Sequence, residues 1–482
     1  MAASKLRERF CKDEATGFAA WLSSWKGVLV RFCIIWGCCL VVFLNRYPGT
    51  LSSDAVVQLT EAVNVSGYEN FNPAIHTFVM TFFVQIGMKI KDITLGVALY
   101  TFFQFTLYAA VATYALTVID KVKTGAVWKI LSTLFFIFPT YLMYSSSVSK
   151  DTFFATMLLL TLCCAADILI SGKPVSVREK CVLAFLVIVT SMSRNSGWSA
   201  ILAGGICVMI YYRKKKTQIS KSEGQKLRIV AAIEMAGALL AVVITCVVYP
   251  VTGIRTVRSD TGTALFVQQI ARAVYDDVCS DEELELVRSL GKDDGIVEGL
   301  KTSYYPYIVD SSRVYFNPYK ILSLDIFKVW FKIGIKHPKE YWLAFADQTQ
   351  LFWYPVSSGE HGGIGMYKND YGLVNEAKLF DGSDVATDVY NVLAKVKLYA
   401  LLCNAGFTFW LILLCMYLCA RNKNSLGAVM CVPYLAIYIG LFIFSYGGLF
   451  RYAYAAVLGM SILPVFYLFD GVKDAQEGSW DE

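Results

Sequence analysis

The sequence predicts an all-α polytopic membrane protein: a bundle of about ten transmembrane helices plus a juxtamembrane helix, with a mostly helical extracytoplasmic insertion. Three observations predict it. Hydrophobic residues make up 56% of the 482 and charged residues 17%, less charge than a soluble chain of this length carries. Apolar runs recur along the chain, the longest exceeding the roughly 20 residues that cross a bilayer as a helix; the mean hydropathy is +0.50. Short basic clusters fall between the runs, and Tyr and Trp gather near their ends, where amphipathic rings settle at a membrane interface.

The apolar runs cover residues 28–44, 73–88, 93–119, 126–144, 152–170, 181–192, 198–212, 229–249, 397–419, 426–444 and 452–469. The first follows a basic stretch with Trp21 and Trp25 and has no small-residue cleavage site after it, so it reads as a retained helix. Orientation follows from the basic clusters: Lys5-Arg7-Arg9-Lys12, Lys121-Lys123-Lys129, Lys173-Arg178-Lys180, Arg213 to Lys216 and Arg421-Lys423. The positive-inside rule puts all of them in the cytoplasm. That holds only if the run at 73–88 does not cross. This run opens with Pro73 and His76 and ends at Lys89 and Lys91, and it reads as a juxtamembrane or re-entrant helix; a true span with a broken partner elsewhere is the alternative. The expectation is a multi-pass protein of the cytoplasmic (plasma) membrane, with ten spans and both termini inside. Residues 45–72, 145–151, 193–197, 251–396 and 445–451 then lie outside.

Three units are expected: an N-terminal transmembrane module over residues 1–250, an extracytoplasmic insertion over 251–396, and C-terminal transmembrane helices with a short cytoplasmic tail over 397–482. Only the insertion is large enough for a soluble subdomain. Its stretches 327–335 and 341–354 are amphipathic and rich in aromatics, as helices lying on a membrane surface are. Most of the 14 cysteines sit inside apolar runs as small hydrophobes, so no disulfide framework is implied. The basic clusters are topology signals, which leaves nucleic-acid binding without support. No P-loop or dinucleotide fingerprint is present, and Gly362-Gly363-Ile364-Gly365 is too weak to read as a nucleotide loop.

The unusual polar residues lie in the outer loops. Asp54 follows the first helix closely, where a carboxylate can take a proton from an acceptor hydroxyl; equally, Ser52-Ser53-Asp54 precedes an apolar run as helix-capping residues do. His76 can donate to a phosphate or be a satisfied interfacial histidine. Lys150-Asp151 opens the next outer turn, either as a phosphate-binding cation with its orienting acid or as a local ion pair and cap. Arg194 and Arg451 come from two further outer turns. A guanidinium is a planar fork of donors suited to phosphate, but each can also snorkel at an interface. Gly447-Gly448 sets Arg451 at a helix start, where the dipole favours anions.

In this order the chain resembles the bacterial GT-C superfamily of membrane glycosyltransferases: an early outer-loop Asp54, the Asn72-Pro73-x-x-His76-Thr77 segment, a Lys150-Asp151 turn, an Arg194-Asn195-x-Gly197 turn and a late Arg451-Tyr452. It is most similar to a branch related to protein mannosyltransferases and aminoarabinose transferases, which the strings Gln268-Gln269-Ile270-Ala271-Arg272 and His337-Pro338-x-x-Tyr341 also resemble. The resemblance runs from the first helix to the last, and the order of the motifs carries it. It implies a GT-C-like bundle and inverting transfer of a sugar from a polyprenyl-phosphate donor to a cell-envelope glycan, lipid or protein. Asp54 is then the base and Asp151 a second acidic residue. Lys150, Arg194, Arg451 and His76 bind the donor phosphate, and Tyr68, Gln269, Trp353 and Tyr354 bind acceptor or sugar. One departure is Ala55 where mannosyltransferases carry the second residue of an Asp-Glu pair. The metal-binding Asp-x-Asp of oligosaccharyltransferases is also absent, so neither metal nor cofactor is expected. Two rivals predict differently: a lipid-linked-sugar flippase needs charges along a path through the helices, and a non-catalytic assembly protein leaves Asp54, Lys150 and Arg451 far apart.

Overall fold

The computed structural model describes residues 17–65, 67–122, 125–257, 260–355, 365–379 and 384–468. The basic cluster at 5–12, Lys123, residues 362–364 of the glycine-rich stretch and the C-terminal tail lie outside the described residues. In chain order the helices that frame the site are Trp25–Asn45 (α1), Ser53–Asn64 (α2), Ala74–Ile90 (α3), Ile93–Asp120 (α4), Lys150–Ile170 (α5), Val177–Met192 (α6), Gly197–Lys215 (α7), Lys221–Val243 (α8), Ala264–Tyr275 (α9), Asp281–Arg288 (α10), Asp325–Lys336 (α11), Pro338–Trp353 (α12), Ala405–Arg421 (α13), Val432–Phe444 (α14) and Phe450–Gly459 (α15). Thr50–Leu51 (β1) and Ser147–Val148 (β2) pair in parallel.

Six helices are long and apolar enough to cross a bilayer: α1, α4, α5, Lys221–Val251, Ser425–Phe444 and Phe450–Leu468. A seventh results if Ala126–Phe136 and Pro139–Ser145, bent by 48°, count as one. The chain is therefore a helical protein built to sit in a bilayer, with six or seven such helices among the described residues where about ten were expected. The difference has physical causes. Pro139 interrupts the run at 126–144. The run at 181–192 becomes α6, 16 residues that open on Arg178, Glu179 and Lys180. The run at 198–212 becomes α7, whose last turn is Arg213, Lys214 and Lys215.

The run at 73–88 becomes α3, an apolar helix of 17 residues. It lies antiparallel along only the first part of α4: His76 meets Tyr100, while Gly87 abuts Gly96 so closely that a Cβ on Gly87 would stand 2.1 Å from the Gly96 nitrogen. The remainder of α4 packs on α1, where the Trp36 indole donates to Thr106.

The bundle core is aromatic, with Phe105, Tyr108, Tyr141, Tyr434 and Tyr454 fully buried. The far end of α4 is pinned by charge: Arg31 reaches Asp120 at 2.6 Å, and Lys129 approaches the same carboxylate at 3.7 Å. Two cations on one carboxylate offset its desolvation. The insertion has its own core of Val267, Ile270, Val274, Leu300, Phe316 and Ile333. It docks on the bundle at the Gly447-Gly448 turn, where Ile308 bridges Gly447 and the Val309 amide donates to the Tyr446 carbonyl at 2.8 Å. A side chain at Gly447 would stand 2.5 Å from the Tyr307 carbonyl, so the approach requires glycine.

Candidate functional site

Two outer-loop motifs are joined in register. Thr50 pairs with Ser147 and Leu51 with Val148, and each strand runs straight into a helix. Ser52 caps α2, accepting from the Ala55 amide at 3.3 Å, and Ser149 caps α5, accepting from the Asp151 amide at 3.2 Å. The serines satisfy the free helix-terminal amides. The carboxylates of Asp54 and Asp151, both in the first turn, are left for other partners. Capping therefore falls to Ser52, and Asp54 is not the cap.

The charges pair across elements rather than within them. Lys150 sits 3.0 Å from Asp54 Oδ2, and Arg451 sits 3.4 Å from the same oxygen. Lys150 also donates to Asn72 Oδ1. Arg194 Nε lies 3.8 Å from Asp151 Oδ1, while its Nη1 donates to the Tyr452 carbonyl at 2.8 Å. The Arg194 guanidinium is further held between the rings of Phe154 and Tyr452, each 5.7 Å away. Asp151 is 2% exposed and its Oδ2 accepts no hydrogen bond. Burial alone would raise the Asp54 carboxyl, but Lys150 and Arg451 outweigh it and hold it below the usual carboxylate range.

All five residues line one cavity of about 500 Å³. Its floor carries Asp54, Lys150, Asp151, Arg194 and Arg451. One wall is apolar: Ala436, Ile437, Gly440, Leu441 and Phe444 form a single face of α14. Phe444, at the end of that wall, is half exposed. The insertion closes another side with Asp310 and Arg313, an ion pair at 3.2 Å whose guanidinium lies 4.7 Å from the Tyr446 ring.

The other expected residues stand elsewhere. His76 is fully buried behind the cavity, with Nδ1 on Gln58 at 3.0 Å and Nε2 on the Tyr100 hydroxyl at 2.6 Å, so both ring nitrogens are taken. Tyr68 packs on Phe78 and reaches Thr81. Gln269 accepts from the Trp330 indole at 2.7 Å and lines an apolar groove on the insertion with Trp330, Phe331 and Trp342. Trp353 and Tyr354 join α12 to α13: the Trp353 carbonyl accepts from Trp410, and the Tyr354 backbone lies against Gly406. Asp310, Arg313 and the α14 wall were missed by the sequence reading. The Asp310-x-x-Arg313 pair is visible in the sequence, but nothing there links it to Tyr446.

The fold and cavity describe a helical membrane protein with a pocket of clustered charges at the insertion-bearing end of its bundle, bordered by an apolar helix. A scan against protein-family models finds no match, and neither does a search of curated proteins.

Proposed function

We propose that this protein is a GT-C-type membrane glycosyltransferase, moving a sugar from a polyprenyl-phosphate donor to a cell-envelope acceptor on the outer face. The observation that carries the reading is the shared cavity. Cations from three separate segments meet two carboxylates, next to an apolar wall, and that suits an amphiphile with an anionic head and a hydrocarbon tail. Lys150, Arg194, Arg451 and Arg313 face Asp54, Asp151 and Asp310, one positive charge in surplus. A phosphodiester linking sugar to lipid carries one negative charge.

In this mechanism Asp54 takes the proton of an acceptor hydroxyl. The oxygen attacks the anomeric carbon from the face opposite the phosphate, the carbon–oxygen bond to phosphate breaks, and lipid phosphate leaves against the cations. Paired with Lys150 and Arg451, Asp54 is a weak base. A donor phosphate competing for those cations would restore its basicity, so donor binding arms the base. Arg194, near two rings and fixed through Nε and Nη1 by Asp151 and the Tyr452 carbonyl, keeps its remaining donors for the phosphate. His76 then acts from behind, tying Gln58 of the Asp54 helix α2 to Tyr100 of α4.

In this reading the cavity faces outward. That orientation follows from the basic last turn of α7 and from Lys121 and Lys129, which lie toward the opposite end from the cavity. The test is transfer of labelled sugar from a polyprenyl-phosphate donor by the purified protein in nanodiscs. No transfer with any of a panel of polyprenyl-phosphate sugars and envelope acceptors, and no saturable binding of these donors, would remove the reading.

A further inference from the structure

We infer that the insertion carries a zinc site of its own, away from the cavity, formed by Cys279, Glu283 and His337. A thiol sulfur, a carboxylate oxygen and an imidazole nitrogen lie within 4.8 Å of one another. They come from two places in the chain: Cys279 just precedes α10 and Glu283 lies in its first turn, and His337 is the hinge residue between α11 and α12. A tetrahedral site with sulfur at about 2.3 Å and nitrogen or oxygen at about 2.0–2.2 Å needs donors somewhat closer than this. The cluster is thus an open site that small side-chain movements close.

The second observation is how Glu283 is held. It is 3% exposed, and its Oε2 is committed to helix capping, accepting from the Ser280 amide at 2.8 Å and the Ser280 hydroxyl at 3.1 Å. Its Oε1 is buried and accepts no hydrogen bond; the near charge is the exposed Lys336 ammonium at 3.2 Å, on a side chain free to swing away. His337 Nε2 already shares a hydrogen bond with Glu283 Oε2 at 3.2 Å, a contact the ion would replace.

Mixed sulfur, nitrogen and oxygen donors favour Zn²⁺ over Mg²⁺ or Ca²⁺, which take oxygen ligands. Three protein ligands leave a fourth position for water. Bound there, the ion would fasten α10 to the α11–α12 hinge. It would thereby fix the direction of α12, whose Gln348 donates to the Ser445 carbonyl at the cavity rim at 2.8 Å.

The experiment uses the full-length protein in detergent, stripped with a chelator and titrated with Zn²⁺ and, as a spectroscopic probe, Co²⁺. Expected are one Zn²⁺ per chain, a rise in thermal midpoint on adding Zn²⁺, and a thiolate-to-Co²⁺ charge-transfer band in the near ultraviolet. Cys279→Ser and His337→Asn should each weaken binding by at least about tenfold, because a lost ligand costs no less than a lost supporting contact. The wild-type band and midpoint are read independently of the variants, so a variant that fails to fold does not shelter the inference. It is overturned if wild-type protein gives neither band nor shift, or if folded Cys279→Ser binds Zn²⁺ as tightly as wild type.

Discussion

Asp54→Asn separates a catalytic carboxylate from a structural one. Asparagine keeps the size of the side chain and removes the charge that Lys150 at 3.0 Å and Arg451 at 3.4 Å now share. Two consequences follow with opposite signs. The freed cations face the cavity, so donor affinity should hold or improve. The lost proton acceptor should slow turnover by about a hundred- to ten-thousandfold, equivalent to about 3–5 kcal/mol of barrier. Labelled-sugar transfer in nanodiscs, with kcat and KM fitted separately, reads both. A folded variant with unchanged kcat, or one whose loss lies wholly in KM, would refute the assignment of Asp54 as base.

Lys150→Met should move the acid limb of kcat/KM for transfer upward in pH. Asp54 in the free enzyme is held below the usual carboxylate range, and removing a neighbouring cation disfavours its charged form. The same sign governs stability: the depressed carboxyl contributes above its unfolded pKa of about 3.9 and loses that contribution as pH falls through the folded value. Arg194→Ala should lower the thermal stability by about 3 kcal/mol, the lower end for stranding one member of a buried pair, since Asp151 is 2% exposed; Arg194→Lys should retain most stability but lose donor affinity, because an ammonium lacks the fork. Gly459→Ala should destabilise by about 1–3 kcal/mol, because its Cβ would stand 2.1 Å from the fully buried Tyr434 ring, as a thermal-shift measurement would show.

The site was legible where charge is costly. Asp54, Lys150, Asp151, Arg194 and Arg451 stand out because each flanks an apolar run, and such residues need partners. The structure brings all five together. His76 looked similar but turned inward, because Gln58 and Tyr100 arrive from two other helices to occupy both nitrogens. Sequence spacing carries no sign of that meeting. The described residues hold six or seven helices long and apolar enough to span, against the ten expected, for a related reason. Hydropathy reads a run as continuous, whereas Pro139 bends one helix and the run at 397–419 is split between Lys397–Leu402 and α13. The α14 wall was invisible because α14 is apolar nearly all round, and only its neighbours decide which face borders the cavity. Arg313 reaches the cavity only because Gly447 lets the insertion backbone come close.

The pairing of β1 with β2 places a limit on how this chain can change in length. Asp54 follows Leu51 by three positions, and Asp151 follows Val148 by three, so one ladder sets both acids. A residue added within either three-position step would turn its carboxylate by about 100° around the helix axis and carry it away from its cation. Between the two steps no such ladder applies, but Asn72 at the end of the loop after α2 accepts from Lys150 and so ties that loop to the same acid. Among sequences that share this architecture, insertions and deletions should therefore spare residues 50–54 and 147–151 and collect elsewhere.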